Sequence, residues 1–202
     1  MCGICGIFNL DNAPVDSSVL KDMNDAIMHR GPDGEGYFTD KKIGLGHRRL
    51  AIIDLSSHAD QPMSSDMDNY TIIYNGEIYN YKELRKDLTD LGHQFKTNSD
   101  TEVVLHSYME WGKDCVVHFN GMFAFAIWDK AEQQLFLARD RYGIKPLYYA
   151  FINNTFIFAS EQKALLRYPN IKNDIDLETV IEYFTFQNIF TDKTFLKQIQ
   201  LF

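Results

Sequence analysis

Apolar side chains change their spacing several times along this chain, and each change predicts an element. Cys2–Leu10 is short and almost wholly apolar or small, the pattern of a strand buried on both faces. Behind Asp16, whose short carboxylate suits a helix N-cap, Val19, Leu20, Met23 and Ile27 recur at helical spacing until Gly31-Pro32 stops them. Ile43–Asp54 predicts a strand-like run ending in Leu50-Ala51-Ile52-Ile53. Tyr70–Tyr74 predicts another strand, running into the turn pair Asn75-Gly76. Asn80 opens a helix that carries Leu84, Leu88 and Leu91 and closes at Gly92, and a further helix covers Thr101–Trp111 before Gly112.

The clearest two-residue period is Met122–Asp129, where Phe123, Phe125 and Ile127 alternate with Ala124, Ala126 and Trp128. A turn at Lys130–Gln133 leads into Leu135–Arg139. Leu147–Phe151 and Phe156–Ser160 follow, joined at Asn153-Asn154. Tight turns between short strands favour antiparallel pairing, and no long βαβ alternation is present, so the class is α+β rather than a doubly wound parallel sheet.

Composition narrows what such a fold serves. The chain has 202 residues, 15 Phe and 11 Tyr, enough for a packed core, and a net charge of −8 that disfavours nucleic acid and anionic membrane as partners. The longest apolar stretch, Met122–Trp128, is far too short to cross a bilayer, and no secretory signal is visible at the N-terminus. Three cysteines make an odd set without a paired framework, which fits a reducing cytosol and a cytoplasmic location. Cys2-x-x-Cys5 has metal-like spacing but no second pair of ligands, so no metal site is expected, and Cys5 and Cys115 read as small buried hydrophobes.

Cys2 is different because of its position. Removal of Met1 would place its thiol and a free α-amine on one carbon, a nucleophile with its own base attached. Downstream, the segments Cys2-Gly3-Ile4-Cys5-Gly6, His29-Arg30-Gly31-Pro32-Asp33-Gly34-Glu35-Gly36, Gly46-His47-Arg48-Arg49-Leu50-Ala51-Ile52-Ile53-Asp54, Tyr74-Asn75-Gly76-Glu77-Ile78-Tyr79-Asn80, Asn98-Ser99-Asp100-Thr101-Glu102 and Ala138–Tyr149 stand in register. Together they resemble the glutaminase domain of glutamine-dependent asparagine synthetases, class II amidotransferases with an N-terminal nucleophile. Arg30-Gly31-Pro32-Asp33 with Gln61-Pro62-Met63 is similar to the asparagine synthetase branch, which also holds amidotransferases acting on cell-surface sugars and natural products.

The resemblance implies a four-layer αββα sandwich with two antiparallel sheets, and hydrolysis of L-glutamine through a Cys2 thioester. It implies Asn75 and the Gly76 N–H as oxyanion donors, although Asn-Gly alone reads equally as a hairpin turn. It places Arg49, the backbone of Leu50, Ala51, Ile52 and Ile53, and Glu77 and Asp100 around the amino-acid end of glutamine. Arg48 is the neighbour that strand alternation would turn to the opposite face. His29 and His47 are given no catalytic part.

The resemblance covers residues 2–168, expected to form the glutaminase domain, with 169–202, including a helix around Leu177–Phe184, expected as the linker into an absent C-terminal synthetase domain. No cofactor is expected in this chain. ATP and Mg²⁺ belong to the synthetase domain, for which no Gly-rich phosphate loop occurs here. The expected partners are L-glutamine and that domain, and a homodimer is compatible with the reading. Two alternatives stay open: the same half-reaction serving another acceptor, and a silent module that binds an amino acid or a partner.

Overall fold

The computed structural model describes residues 1–66 and 68–202. Among the described residues, ten strands and five α-helices run in chain order β1 (Gly3–Asn9), α1 (Ser17–Asp25), β2 (Gly34–Asp40), β3 (Ile43–Arg49), β4 (Met63–Ser64), β5 (Tyr70–Ile78), α2 (Tyr81–Asp90), α3 (Asp100–Trp111), β6 (Gly121–Asp129), β7 (Gln134–Arg139), β8 (Tyr148–Ile152), β9 (Thr155–Ala159), α4 (Gln162–Leu165), α5 (Leu177–Phe186) and β10 (Gln200–Leu201). They form a six-stranded sheet, β10-β8-β9-β1-β3-β2, and a four-stranded sheet, β4-β5-β6-β7. Every strand pairing in both is antiparallel.

Three apolar cores separate four layers. β6 shows how alternation builds them: Phe123, Phe125 and Ile127 pack with Leu84, Leu88 and Val104 of α2 and α3, while Ala124, Ala126 and Trp128 face Ile4, Leu45 and Phe158 of the other sheet. The outer face of the six-stranded sheet sends Cys5, Ile7 and Ile157 against Leu20, Met23 and Ala164 of α1 and α4. The expected αββα sandwich is therefore present.

Local readings fare unevenly. Asp16 caps α1, accepting from Ser18 N at 2.8 Å. Asn80 stands at the N-cap of α2 but makes no capping bond; its side chain joins His118 O and Asn120 N instead. Leu91 is not on the buried face of α2. The helix ends at Asp90, and Leu91 is 57% exposed at the cap.

Two larger corrections concern the cleft. Leu50–Ile53 is not a strand: β3 ends at Arg49, where its partners Gly3 of β1 and Gly34 of β2 also begin. With no strand to pair with, the chain leaves the sheet, and Ala51 N donates to Asp33 Oδ2 at 2.9 Å. Nor is Asn75-Gly76 a turn. β5 runs through it to Ile78, with Gly76 opposite Phe123 in the β6 ladder. A Cβ on Gly76 would lie 2.5 Å from Met122 O and 2.8 Å from Phe123 Cα, so glycine here permits a close backbone approach rather than a reversal.

Candidate active site

The end of β1, the break after β3 and the middle of β5 meet around one cleft of about 350 Å³. Cys2, Arg49, Leu50–Ile53, Asn75, Gly76, Glu77 and Asp100 all line it, along with Met1, Gln61, Met122 and Lys145. A larger hollow of about 490 Å³, between Phe119, Phe136, Arg139 and Phe202, has no cysteine or histidine in its wall and carries no comparable chemistry.

Cys2 precedes the first paired residue of β1, so its position is set from both sides. Arg30 Nε donates to Cys2 O at 2.9 Å, and Ile4 N donates to Ser160 Oγ at 3.0 Å. Its Sγ accepts from Leu50 N at 3.3 Å and lies 3.6 Å from Leu50 O. Burial pushes the thiol above its usual range, while the Leu50 N–H, the chain's terminal ammonium and Arg49 pull the other way. At Cys5 and Cys115 burial outweighs the backbone N–H groups that oppose it and pushes each thiol to about 12, and both are fully enclosed.

β5 supplies the opposite wall. Asn75 lies on the inter-sheet face with Ile73, and its Nδ2 is buried with no hydrogen-bond partner among the described residues. The N–H groups of a strand alternate between its two edges. Tyr79 N donates to Asn120 O on the β6 side, whereas Tyr74 N and Ile78 N turn the other way, to Gln61 Oε1 at 2.6 Å and Asp100 Oδ2 at 3.0 Å. The Gly76 N–H, midway between them, shares that edge. β4 pairs no farther than Ile72, so no strand meets it there. Two amide donors thus open into the cleft that holds the thiol.

The charged groups divide as strand alternation predicts. Arg48 turns back to Asp25, Glu35 and Asn24 O. Arg49 turns into the cleft, where it bonds Asp54 O and pairs with Asp60 at 2.5 Å. Asp54 in turn organises the loop, accepting from Ser56 and Asn98 N, which hold its carboxyl down at about 2. Asp100 opens α3 and accepts from Tyr74 OH at 2.7 Å; burial raises its carboxyl despite that bond. Glu77 is exposed at the rim.

Histidine has no place in the cleft wall. His47 is fully buried in β3 with Nε2 3.3 Å from Tyr74 O, and burial pushes it down to about 3, so it stays neutral. His29 pairs with Glu161 at 2.9 Å, outside the cleft. Gln61 and Lys145 stand in motifs quoted from the sequence, Gln61-Pro62-Met63 and the Arg139–Tyr149 segment read as scaffold buttressing the site, but neither was given a place in the cleft wall, where both lie.

Residues 1–202 match the family model described as a glutamine amidotransferase domain. The chain belongs to that family. Its amidotransferase fold also matches the glutamine phosphoribosylpyrophosphate amidotransferase of B. subtilis, solved with ADP and GMP, at a TM-score of 0.70 and 23% identity over 81% of this chain and 43% of that one. Sequence relatives are closer. Asparagine synthetase [glutamine-hydrolyzing] 1 of Bacillus subtilis is 47% identical over 93% of the chain and 30% of its own length. A putative asparagine synthetase of Methanocaldococcus jannaschii is 44% identical over 91% of the chain and 39% of its length. Amidase chry2 of Gibberella zeae is 44% identical over 71% of the chain and 22% of its length. The amidotransferase chain thus spans about a third of the length of the asparagine synthetases it matches. No helix among the described residues is long and apolar enough to cross a membrane.

Proposed function

We propose that this chain is the glutaminase part of an asparagine synthetase, releasing ammonia from L-glutamine at Cys2 for use by an ATP-dependent synthetase part. The observation that carries this is a pair of donors on β5 that open to the same cleft as the Cys2 thiol: Asn75 Nδ2, buried with no partner among the described residues, and the Gly76 N–H, on the edge where β4 has ended. A buried amide without a partner is costly, and an oxyanion formed during attack would satisfy it together with the Gly76 N–H.

After Met1 is removed, the Cys2 α-amine accepts the thiol proton and the thiolate attacks the side-chain amide carbon. The carbonyl oxygen becomes an oxyanion held by Asn75 and Gly76. The amine then returns its proton to the leaving nitrogen, ammonia departs, and a γ-glutamyl thioester remains. Water, deprotonated by the same amine, cleaves the thioester to glutamate and frees the thiol. Arg49 has donors beyond those given to Asp54 and Asp60 and takes the α-carboxylate, alongside the Leu50–Ile53 backbone. Asp100 and Glu77 take the α-ammonium.

Residues 2–168 are assigned to this half-reaction and 169–202 to the passage toward the synthetase part, with β10 returning to the sheet on the way. ATP and Mg²⁺ are assigned to that other part. No group of three metal-ligating side chains stands among the described residues, and no step here runs through either. Aspartate as acceptor, a cytoplasmic location and a homodimer belong to the same reading. The amidase relative, matching over the same kind of segment, supports an alternative acceptor with the half-reaction unchanged.

The test is glutamate and ammonia release from L-glutamine by the chain and by Cys2→Ala. Stoichiometric release that vanishes in the variant, with its fold intact, is expected. Equal release by both would refute the assignment, and binding without release by the unsubstituted chain would favour a silent amino-acid-binding module.

A further inference from the structure

Two cations stand behind the N-terminus, and their circumstances differ. Arg30 holds Cys2 O and is paired through Nη1 with Glu161 at 2.9 Å, a carboxylate also shared by His29 and Lys163. Lys145 is only 4% exposed, yet no carboxylate reaches salt-bridge distance of its ammonium among the described residues. Its Nζ meets only Met1 Sδ, at 3.1 Å, in the wall of the cleft that holds Cys2. A buried lysine without a counter-charge is expensive, and its one contact leaves with the initiator methionine.

The groups around it are few. Asp140 is occupied by the N–H groups of Phe123, Tyr142, Ile144 and Lys145 itself. Glu77 lines the cleft at its exposed rim, Arg30 adds a like charge, and Cys2 itself is faced by Arg49 and Asp100. We propose that Lys145 is a positioning residue for the nucleophile: its uncompensated ammonium stands against the N-terminus and keeps the Cys2 α-amine, once Met1 is removed, in its neutral, proton-accepting form. This rests on the glutaminase reading. Burial, with Arg30 next, draws the lysine below its usual range, but Glu77, Cys2 and Asp140 oppose that draw.

The sign follows from like-charge repulsion. With Lys145 present the amine loses its proton at lower pH; without it, the amine stays protonated to higher pH and cannot take the thiol proton. At separations of several ångströms and an effective dielectric near that of a protein surface, one such charge moves a neighbouring titration by about one pH unit.

The experiment compares the Met1-free chain with Lys145→Met, which keeps length and apolar stem, and Lys145→Arg, which keeps charge but cannot serve as a base. Two profiles are read from pH 5.5 to 9.5: glutamate release, and alkylation of the thiol by iodoacetamide, which reports Cys2 because Cys5 and Cys115 are enclosed. For Lys145→Met the acid limbs should move up by about one unit, with near-normal kcat at high pH and KM within about twofold, while Lys145→Arg follows the unsubstituted chain. Limbs that stay in place, or a loss equal at every pH, would overturn the proposal. So would loss in a folded Lys145→Arg. If the unsubstituted chain releases no glutamate, the glutaminase reading fails by itself, and the alkylation profiles still decide whether Lys145 sets the proton state of the N-terminus.

Discussion

The two halves of β5 share one strand and serve opposite ends. At Thr71 and Ile72 the strand has neighbours on both edges, β4 and β6, and Ile72 and Ile73 are fully buried, one toward each core. From Tyr74 to Ile78 β4 has stopped. The backbone turns to Gln61 and Asp100 for partners, and Asn75 Nδ2 has none among the described residues. A completed ladder yields stability, whereas an interrupted one leaves directed donors that only a bound molecule can satisfy. The cleft lies where the sheet is unfinished.

That contrast can be broken at either end. Asn75→Ala should lower kcat for glutamine hydrolysis by about a hundred- to a thousandfold, the usual effect of losing one oxyanion donor, with thermal stability unchanged because the lost amide had no partner. Steady-state kinetics beside a melting curve checks both halves of that statement. Ile73→Ala, two residues away on the same face, should do the reverse, costing roughly 3 kcal/mol of stability through a cavity between the sheets while kcat of the folded protein stays within about twofold. Urea titration reads the first number. If Ile73→Ala abolished turnover without unfolding, the two halves would not be separable.

A weaker effect lies at a contact between the two sheets, from β3 to β5. His47 contacts Tyr74 O, just before the interruption, and is held at about 3 against an ordinary 6.5. The unfolded chain therefore binds a proton at this site that the folded chain refuses, between those two values. Stability from His47 is complete above pH 6.5 and falls as the pH drops toward 3, by at most about 1.4 kcal/mol per unit. Denaturation at several pH values should show that slope, and His47→Gln should flatten it. The smallest change is expected from Glu77→Gln. At an exposed rim its charge is screened, so KM for glutamine should rise only a few-fold, by about 1 kcal/mol or less, whereas Asp100→Asn in the buried wall should raise it more.

The architecture was legible where side-chain period alone decides it. The Phe/Ala alternation of β6 gave both of its faces, and Asp16 gave the start of α1. β2 was overlooked because Gly34–Asp40 is an edge strand whose residues are only partly buried, so its apolar pattern is thin. The residues that line the cleft could be named from the motifs, but the course of their backbone could not. Asn75-Gly76 carries the strongest local turn signal, yet pairing with β6 overrides it, and Leu50–Ile53 looks like strand because nothing in the sequence reveals that neighbouring strands begin only at Gly3 and Gly34. The Arg139–Tyr149 segment was read as scaffold buttressing the site, but the particular contact of Lys145 with the N-terminus spans 144 positions and has no local signal.

The central claim is that the interrupted edge of β5 serves a nucleophile that must be the first residue. Glutamate release should therefore be measured for two preparations differing only in Met1, one processed so that Cys2 carries the free α-amine and one with Met1 retained. Turnover is expected in the first and none above background in the second, although both keep the same thiol and the same donors. Equal turnover would contradict it, by showing that the proton is taken by some group other than the Cys2 amine.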